Sequence, residues 1–549
     1  MFLSRPMRDW LRSSTGAQGR VNAHWGDILR ADPGLRNVRV TVELNLGDRR
    51  YWVAAVPMTT TSATDSRIVR RYLPALLEEP EITTTVQPFQ QTAQARTITL
   101  RMAAVALNLH TALAQGATLS GIAEVSLQRD GDDYDLRLVV MRGEVAGGLD
   151  WGSDKAGEVQ VQVTDFRSTQ AEQVPRVAVD TDRWPSAADN AIGQRYPYIL
   201  NGYPKVPASL VFEDAADPLY LYLGEPAQSL SASATYVNGE VAAGSYAPAT
   251  DTSGHDAKGT RVRYIDFGTS SATWADNDAV YVDVALSGSE RALTAVEVLE
   301  HLYRRFTGYG AIGLDLELFA RAQTRMPGLA PKVLINSSGD AGVDVLSYIE
   351  STFLQSFPMI HLTYTGHGVG PVVLSRMLGA GGRGVEFSLT GGTYPLIARE
   401  SDYTESSRED RYNSFQVRYA YDAMNDAYGG TAKIDASTSP LCAMSERYDG
   451  RRVADTLDSP LIHSASLARY YLAWQAAHRA VPRYRVTWSA WPGAFLTLRP
   501  GMSGLYTDPD RPQFTSAHAT IVGLTWSRGG CQVTLDVWHP RWKGVGLLG

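Results

Sequence analysis

Few residues in this chain stand at spacings that could do chemistry. Gly379-Ala380-Gly381-Gly382-Arg383-Gly384 matches GxGxxG, the pattern that lets backbone approach a pyrophosphate, and it follows an apolar stretch that reads as a strand. That chemistry needs a helix N-terminus directly afterwards. Val385-Glu386-Phe387-Ser388-Leu389 alternates like a strand instead, so the run reads as a glycine-rich hairpin or loop. GxxxxGK[ST] and GxSxG do not occur, which excludes a phosphate-loop ATPase and a hydrolase elbow. Asp130-Gly131-Asp132-Asp133-Tyr134-Asp135 has the carboxylate density of a calcium loop but not the glycine and distal glutamate of an EF-hand, and reads as a solvated hairpin tip. His361 and His367 flank Thr-Tyr-Thr-Gly and need a third ligand to hold a metal. They read as surface or packing residues, and His301 as a solvated residue beside Arg304 and Arg305. Cys442 and Cys531, outside any CxxC, read as packing residues. The carboxylate pair of a glycosidase cannot be picked out by spacing on a β-rich chain. On these residues the chain is not an enzyme: no catalytic, cofactor-binding or metal residue and no cofactor is expected.

The elements that would position such groups are mostly strands. The chain has 549 residues, 44% hydrophobic and 20% charged, an ordinary globular composition long enough for about three to five domains. No stretch approaches the roughly 18 to 20 apolar residues of a membrane helix, and the charged, Pro-containing start offers no signal-peptide core, so folding in a cytoplasm is expected. The net charge of −7 divides into −2 over 1–190, −7 over 191–400 and +2 over 401–549. An acidic middle argues against tight nucleic-acid binding, which calls for a basic groove with interleaved aromatics. Arg outnumbers Lys 45 to 6, a bias compatible with protein interfaces.

Val38, Val40, Val42, Leu44 and Leu46 alternate with polar residues, and period two returns at Ile98 to Met102, Tyr134 to Val140 and Val159 to Val163. A short helix is expected over Arg67 to Leu77. From 191, prolines punctuate short aromatic strands, Asn238-Gly239 marks a type I′ hairpin, and 245–259 reads as a mobile loop. Thr294 and Glu297 have capping-box spacing before a helix that Gly308 could end, and a second helix is expected over Val343 to Phe357. Alternation restarts at Phe415, with strands near Tyr484, Phe495, Thr520 and Gln532 and one helix from Pro460 to about His478. The expected divisions are an N-terminal arm (1–37), a first β domain (38–190), a Pro-rich β-hairpin region (191–290), an α/β domain (291–400) and a second β domain with one helix (401–549).

Four stretches, in this order, carry a resemblance. They are Gly143-Glu144-Val145 with Gly157-Glu158-Val159-Gln160-Val161 and Asp165-Phe166; Ile192 to Ile199 with Gly202, Val206-Pro207 and Tyr236-Val237-Asn238-Gly239; Leu293 to Leu299; and Arg411 to Tyr419 with the 460–478 helix and Leu498-Arg499-Pro500-Gly501. Over residues 120 to 540 the chain resembles the tail-tip hub proteins of long-tailed bacteriophages, related to the baseplate hub of contractile phages and to gene-transfer-agent hubs. Met502 stands where the pattern has Asp, and two cysteines cannot hold the four-cysteine iron–sulfur cluster of some phage hubs. The resemblance implies two tube-like antiparallel β-barrel domains flanking the Pro-rich and α/β regions. It also implies a homotrimer at the tip of a non-contractile tail, without catalysis, in the virion. Its partners would be distal tail and tail tube proteins, tail fibre or central tip proteins and the tape measure protein, and DNA would pass without specific binding. Rival expectations are a β-rich carbohydrate-binding or depolymerising tail protein and, disfavoured by the missing signal peptide, a secreted adhesin.

Overall fold

The computed structural model describes residues 17–538 except 33, 47–48, 63–68, 87–94, 109–120, 151–156, 166–172, 213–217, 225–227, 247–249, 269–273, 275–277, 308–312, 327, 337–341 and 375–384. The chain is mainly β, with two half-barrel sheets. In the first, the strands run in the order Met58–Thr61, Val69–Pro74, Arg49–Ala54, Val38–Leu46, Gly121–Arg129, Leu138–Asp150, Glu158–Asp165, Thr97–Ala103. Val38, Val40, Val42 and Leu44 are buried, as their alternation requires. Residues 75–77 bridge the sheet's outer strand back to its middle. Leu76 N donates to Ala54 O (3.1 Å), Leu77 N to Arg101 O (2.9 Å) and Ala103 N to Ala75 O (2.7 Å).

Two expectations fail in this region. The helix expected over Arg67 to Leu77 is instead the strand Val69–Pro74, paired with Met58–Thr61. Pro74 inside that span has no N–H to give a helix and disfavours helical backbone at Leu73. The expected arm contains the helix Ala17–Ala31, whose Val21, Trp25, Ile28 and Leu29 pack into the first sheet's core. That i, i+4, i+7, i+8 spacing is an amphipathic signal.

The Pro-rich region forms a seven-stranded antiparallel sheet around Tyr203–Phe212, Leu219–Gly224 and Val280–Leu286. Asn238 (φ 52°) and Gly239 (φ 91°) turn its hairpin with both residues left-handed, as type I′ demands. The loop expected over 245–259 is corrected, because Thr250–His255 is a full edge strand on Arg261–Asp266. Its Ser, Thr, Gly and Asp residues look loop-like, but Asp251 accepts from Arg263 and from the buried Tyr222 hydroxyl, which fixes the register.

Helix Ala295–Phe306 carries the expected capping box. Its C-cap is Thr307, and Gly308 lies outside the described residues. Helical backbone runs from Val345 to Ser356 with one π turn. The helix expected from Pro460 to about His478 is Ala465–Arg479: Ser464 accepts from Leu467 N at 3.2 Å and caps it, leaving Pro460 outside the first turn. Pro at a first helical turn is found instead in Pro440–Asp449, a helix the alternation concealed. The expected strand near Phe495 is the helical turn Ala494–Thr497.

Cores do not follow chain order. Phe415, Val417, Ile434, Leu467, Leu472 and Trp474 share one core with Leu299, Phe306, Phe353 and Phe357. The second curled sheet runs Phe387–Thr390, Ser503–Thr507, Ala517–Ser527, Gly530–Trp538, Arg483–Ala490, Leu396–Arg399. Its two outermost strands are joined by residues 391–395 alone. Five residues span less than about 20 Å, so the sheet must curl to bring its ends together.

Candidate functional site: the seam between the two curled sheets

Ile82-Thr83-Thr84-Thr85 is entirely β-branched, which suits a pleated strand. It leaves the first sheet and pairs antiparallel with the second, Ile82 opposite Trp526, Thr83 opposite Thr525, Thr84 opposite Leu524 and Thr85 opposite Gly523. Val86 N continues the ladder to Val522 O at 2.9 Å, and the Thr83 and Thr525 hydroxyls meet at 3.0 Å. The Ile82 side chain nevertheless packs in the first sheet's core, together with Leu496 and Trp526 from the second. One strand thus belongs to one sheet by its backbone and to the other by its packing. It clasps the two half-barrels side by side.

Arg96 locks the clasp. Its guanidinium forks onto Asp165, Nε to Oδ2 at 2.7 Å and Nη2 to Oδ1 at 2.8 Å, and Nη1 reaches Thr84 Oγ1 and Val140 O, each at 3.2 Å. The side chains are 12% and 1% exposed, so this is a desolvated, bidentate pair. Asp165 falls in the first motif of the sequence resemblance, whereas its neighbour Phe166 lies outside the described residues. Gly143, of the same motif, sits where a Cβ would come within 2.2 Å of Thr164 O, so only glycine allows these strands to approach.

The Leu498-Arg499-Pro500-Gly501 turn docks the second sheet onto the α/β hairpin Ile360–Thr365 and Gly368–Val373. Gly501 has φ +83°, and a Cβ there would stand 1.9 Å from Val372 Cγ1. Met502, in place of the pattern's Asp, packs into the second sheet's core. Nearby, Arg321 and Arg325 both grip Glu386, which also accepts from Ser503 N at 3.0 Å. Burial pushes the Glu386 carboxyl upward, but the two arginines outweigh it and hold it below the ordinary range.

The residues singled out for chemistry are scattered. Residues 379–384 lie outside the described residues, and the strand after them begins at Phe387. Asp130, Gly131 and Asp135 are exposed, as a solvated hairpin tip requires, and Asp132 and Asp133 are half-buried. Asp130 accepts from Thr59 N (2.9 Å), Asp132 binds His24 (3.0 Å) and Arg129 (2.8 Å), and Asp135 accepts from Ser62 (2.9 Å). Asp132 ties the hairpin to the helix Ala17–Ala31, and Asp130 ties it to the strand Met58–Thr61. His361 is buried, and burial lowers its imidazole to about 4; burial lowers His367 as well. His301 is half-buried against Tyr198, not solvated, with its imidazole lowered to about 4 by burial and then by Arg305. Cys442 and Cys531 are buried and free, and burial raises their thiols to about 11 and about 12. Among the described residues no group of three or more His, Cys, Asp or Glu could hold a metal ion, and no helix is long and apolar enough to cross a membrane.

Sequence reasoning missed the seam. The β-branched run at 82–85 signals a strand, but its partner lies some 440 residues away and no local pattern names it. Arg96 looks like any of the chain's 45 arginines.

No protein-family model matches the chain, and no curated protein matches it. Several solved structures match it at low identity and with TM-scores below 0.5. The 43 kDa tail protein of prophage MuSo2 from Shewanella oneidensis is 11% identical, covering 91% of this chain and 99% of its own, with a TM-score of 0.36. A tail protein from Neisseria meningitidis is 10% identical, covering 92% and 98%, with a TM-score of 0.38. A chain of the virion of a native gene transfer agent particle is 12% identical, covering 69% and 91%, with a TM-score of 0.40.

Proposed function

We propose that this chain is a structural tail protein, the trimeric hub at the tip of a non-contractile phage tail, which joins the tail tube to the receptor-binding tip and encloses the genome channel. One observation carries the reading: a single chain builds two curled β sheets and fastens them side by side through the strand Ile82–Thr85. Three such chains supply six wall segments, what a cap on a hexameric tube needs. Closure into a ring also covers strand edges that would otherwise invite uncontrolled pairing.

In this reading the first tube-like β-barrel domain is 38–190, and the second is the 401–549 block with the strands at 387–390 and 396–399 added. The 191–290 region and the α/β unit, which shares its core with 415–480, face outward or downward. There they would meet fibre or central tip proteins, while the tube and tape measure proteins meet the ring. DNA, with one charge per about 1.7 Å, would stall on an arginine-lined wall, so a lining of Asp, Glu, Ser, Thr, Asn and Gly is expected. Native mass spectrometry of the purified protein, with a reconstruction of the assembled particle, tests this. Three copies on one axis are expected. Two, four or six copies would overturn the hub, and hydrolysis of a surface glycan would favour the depolymerising reading.

A further inference from the structure

The strand Ala427–Ile434 is the edge of a three-stranded sheet, with Phe415–Asp422 beside it and Leu457–Asp458 beyond. The inner strand shows which way its partner's backbone points. Ser414 O accepts from Ala454 N at 2.9 Å, Arg418 O accepts from Ser459 N at 3.1 Å, and Ala420 N donates to Ile462 O at 2.8 Å, all on the side away from the edge strand. In an antiparallel ladder the residue opposite one turned outward is itself turned outward. The register sets Gly429, Thr431 and Lys433 opposite Ala420, Arg418 and Gln416, so these three aim N–H and C=O off the sheet. All three are exposed, and no backbone group among the described residues bonds them. Other edges of the molecule are closed. The tip at 131–132 covers Met58–Thr61, with Gly131 N donating to Thr59 O at 2.9 Å, and residues 75–77 cover Thr97–Ala103. Asp251 ties Thr250–His255 to the far end of its own sheet by accepting from Ala232 N at 3.1 Å. Ala427–Ile434 has no proline and no bulge to blunt it, and its one lysine, Lys433, pairs with Asp435 at 2.7 Å.

We propose that this edge takes an extended strand from another polypeptide, added antiparallel to Ala427–Ile434. Donors and acceptors alternate along the edge with a repeat of about 6.8 Å, two residues of strand. Another extended peptide backbone returns both at that repeat, whereas a phosphodiester backbone offers acceptors alone. The choice of another polypeptide over a second copy rests on the hub reading, because a threefold axis cannot bring an edge against the same edge of its neighbour. The side chains define the added strand further. Ala432 and Ile434 face the core that holds Leu467 and Leu472, so the residues beside them are apolar. On the exposed face an acid suits Lys433 and a Thr suits Thr431. A Cβ at Gly430 would meet the chain's own Tyr419 ring at 2.5 Å, but at Gly429 the nearest atom is Ala420 O at 3.4 Å, which leaves that glycine bare for an aromatic ring of the partner.

The test combines hydrogen exchange and fluorescence anisotropy on the full chain with the peptide Thr-Val-Glu-Val-Thr-Val-Tyr-Val-Thr. In the chain alone the amides of Gly429, Thr431 and Lys433 should exchange fast and those of Gly430, Ala432 and Ile434 slowly. The peptide is expected to bind with a Kd below about 500 μM and to slow the first set about fivefold or more. N-methylation of its Glu, central Thr and Tyr, whose N–H groups face the edge, should abolish binding, while N-methylation of its Val residues should not. Thr431→Pro removes one outward N–H, a change that an edge strand tolerates, and should weaken binding about tenfold with Gly430 and Ala432 still protected. No binding at about 2 mM, indifference to the position of the methyl groups, or slow exchange at Thr431 in the chain alone would overturn the proposal and leave the copy number of the hub untouched. A doubling of mass with concentration that Thr431→Pro abolishes would show a second copy on this edge, and would overturn the choice of partner together with the threefold reading.

Discussion

Replacing Arg96 with Met should open the seam between the half-barrels. The change keeps the length and packing of the stem but removes both guanidinium bonds to Asp165 and the contacts to Thr84 and Val140. Asp165, 1% exposed, is left with the backbone N–H of residue 96 as the donor it keeps there, at 2.8 Å. Were this a surface pair the cost would be about 0–1 kcal/mol. Stranding a buried charge costs about 3–5 kcal/mol, and the burial of both partners places the pair in that class. Because Arg96 holds Thr84, the loss should concentrate on the strand Ile82–Thr85. A fall of about 3 kcal/mol raises an opening constant by roughly two orders of magnitude. Native-state hydrogen exchange at Thr84, Thr85 and Val86, compared with strands deep in the seven-stranded sheet, reads this directly. Adding Asp165→Leu should restore much of the protection, since replacing a buried pair by apolar groups is often neutral. Acceleration of less than about fivefold, or a double variant as open as the single one, would refute the view that this pair holds the clasp.

Gly501→Ala should destabilise the docking of the second sheet onto the α/β hairpin by about 1–3 kcal/mol from the left-handed backbone alone, and Val372→Ala should recover the steric part of the loss in a thermal scan. Cys442 and Cys531 should resist a thiol reagent in the native state and both react after denaturation, because burial keeps the thiols protonated far above neutral pH. Burial holds His361 and His463 near 4, against 6.5 when exposed, so the unfolded chain takes up protons that the folded one refuses. Their contribution is complete above about pH 6.5 and is lost as pH falls toward 4. Urea midpoints across that window should therefore drop, and His361→Gln should flatten part of the slope; an unchanged slope would contradict it.

Local rules reached a good part of this molecule. The Val38 to Leu46 alternation, the Asn238-Gly239 hairpin and the Thr294–Glu297 capping box all appear where their residues demand, because each depends on neighbours a few positions away. The same rules went wrong where distant partners decided. Val69–Pro74 is a strand because Met58–Thr61 lies beside it, and Thr250–His255 is ordered because Arg261–Asp266 is its template. For the seam, the β-branched run at 82–85 made a strand legible, but nothing in it encodes Ala517–Ser527 as its partner. Nor does any spacing say that Phe415 and Leu467 pack with Leu299 and not with the sheet that closes the chain. A strand's propensity is a property of a few side chains, whereas its place in a sheet is set by which buried faces and unpaired ladders remain when the whole chain has collapsed. Only the tertiary structure could decide that Ile82 would pair its backbone with one sheet and pack its side chain in the core of the other.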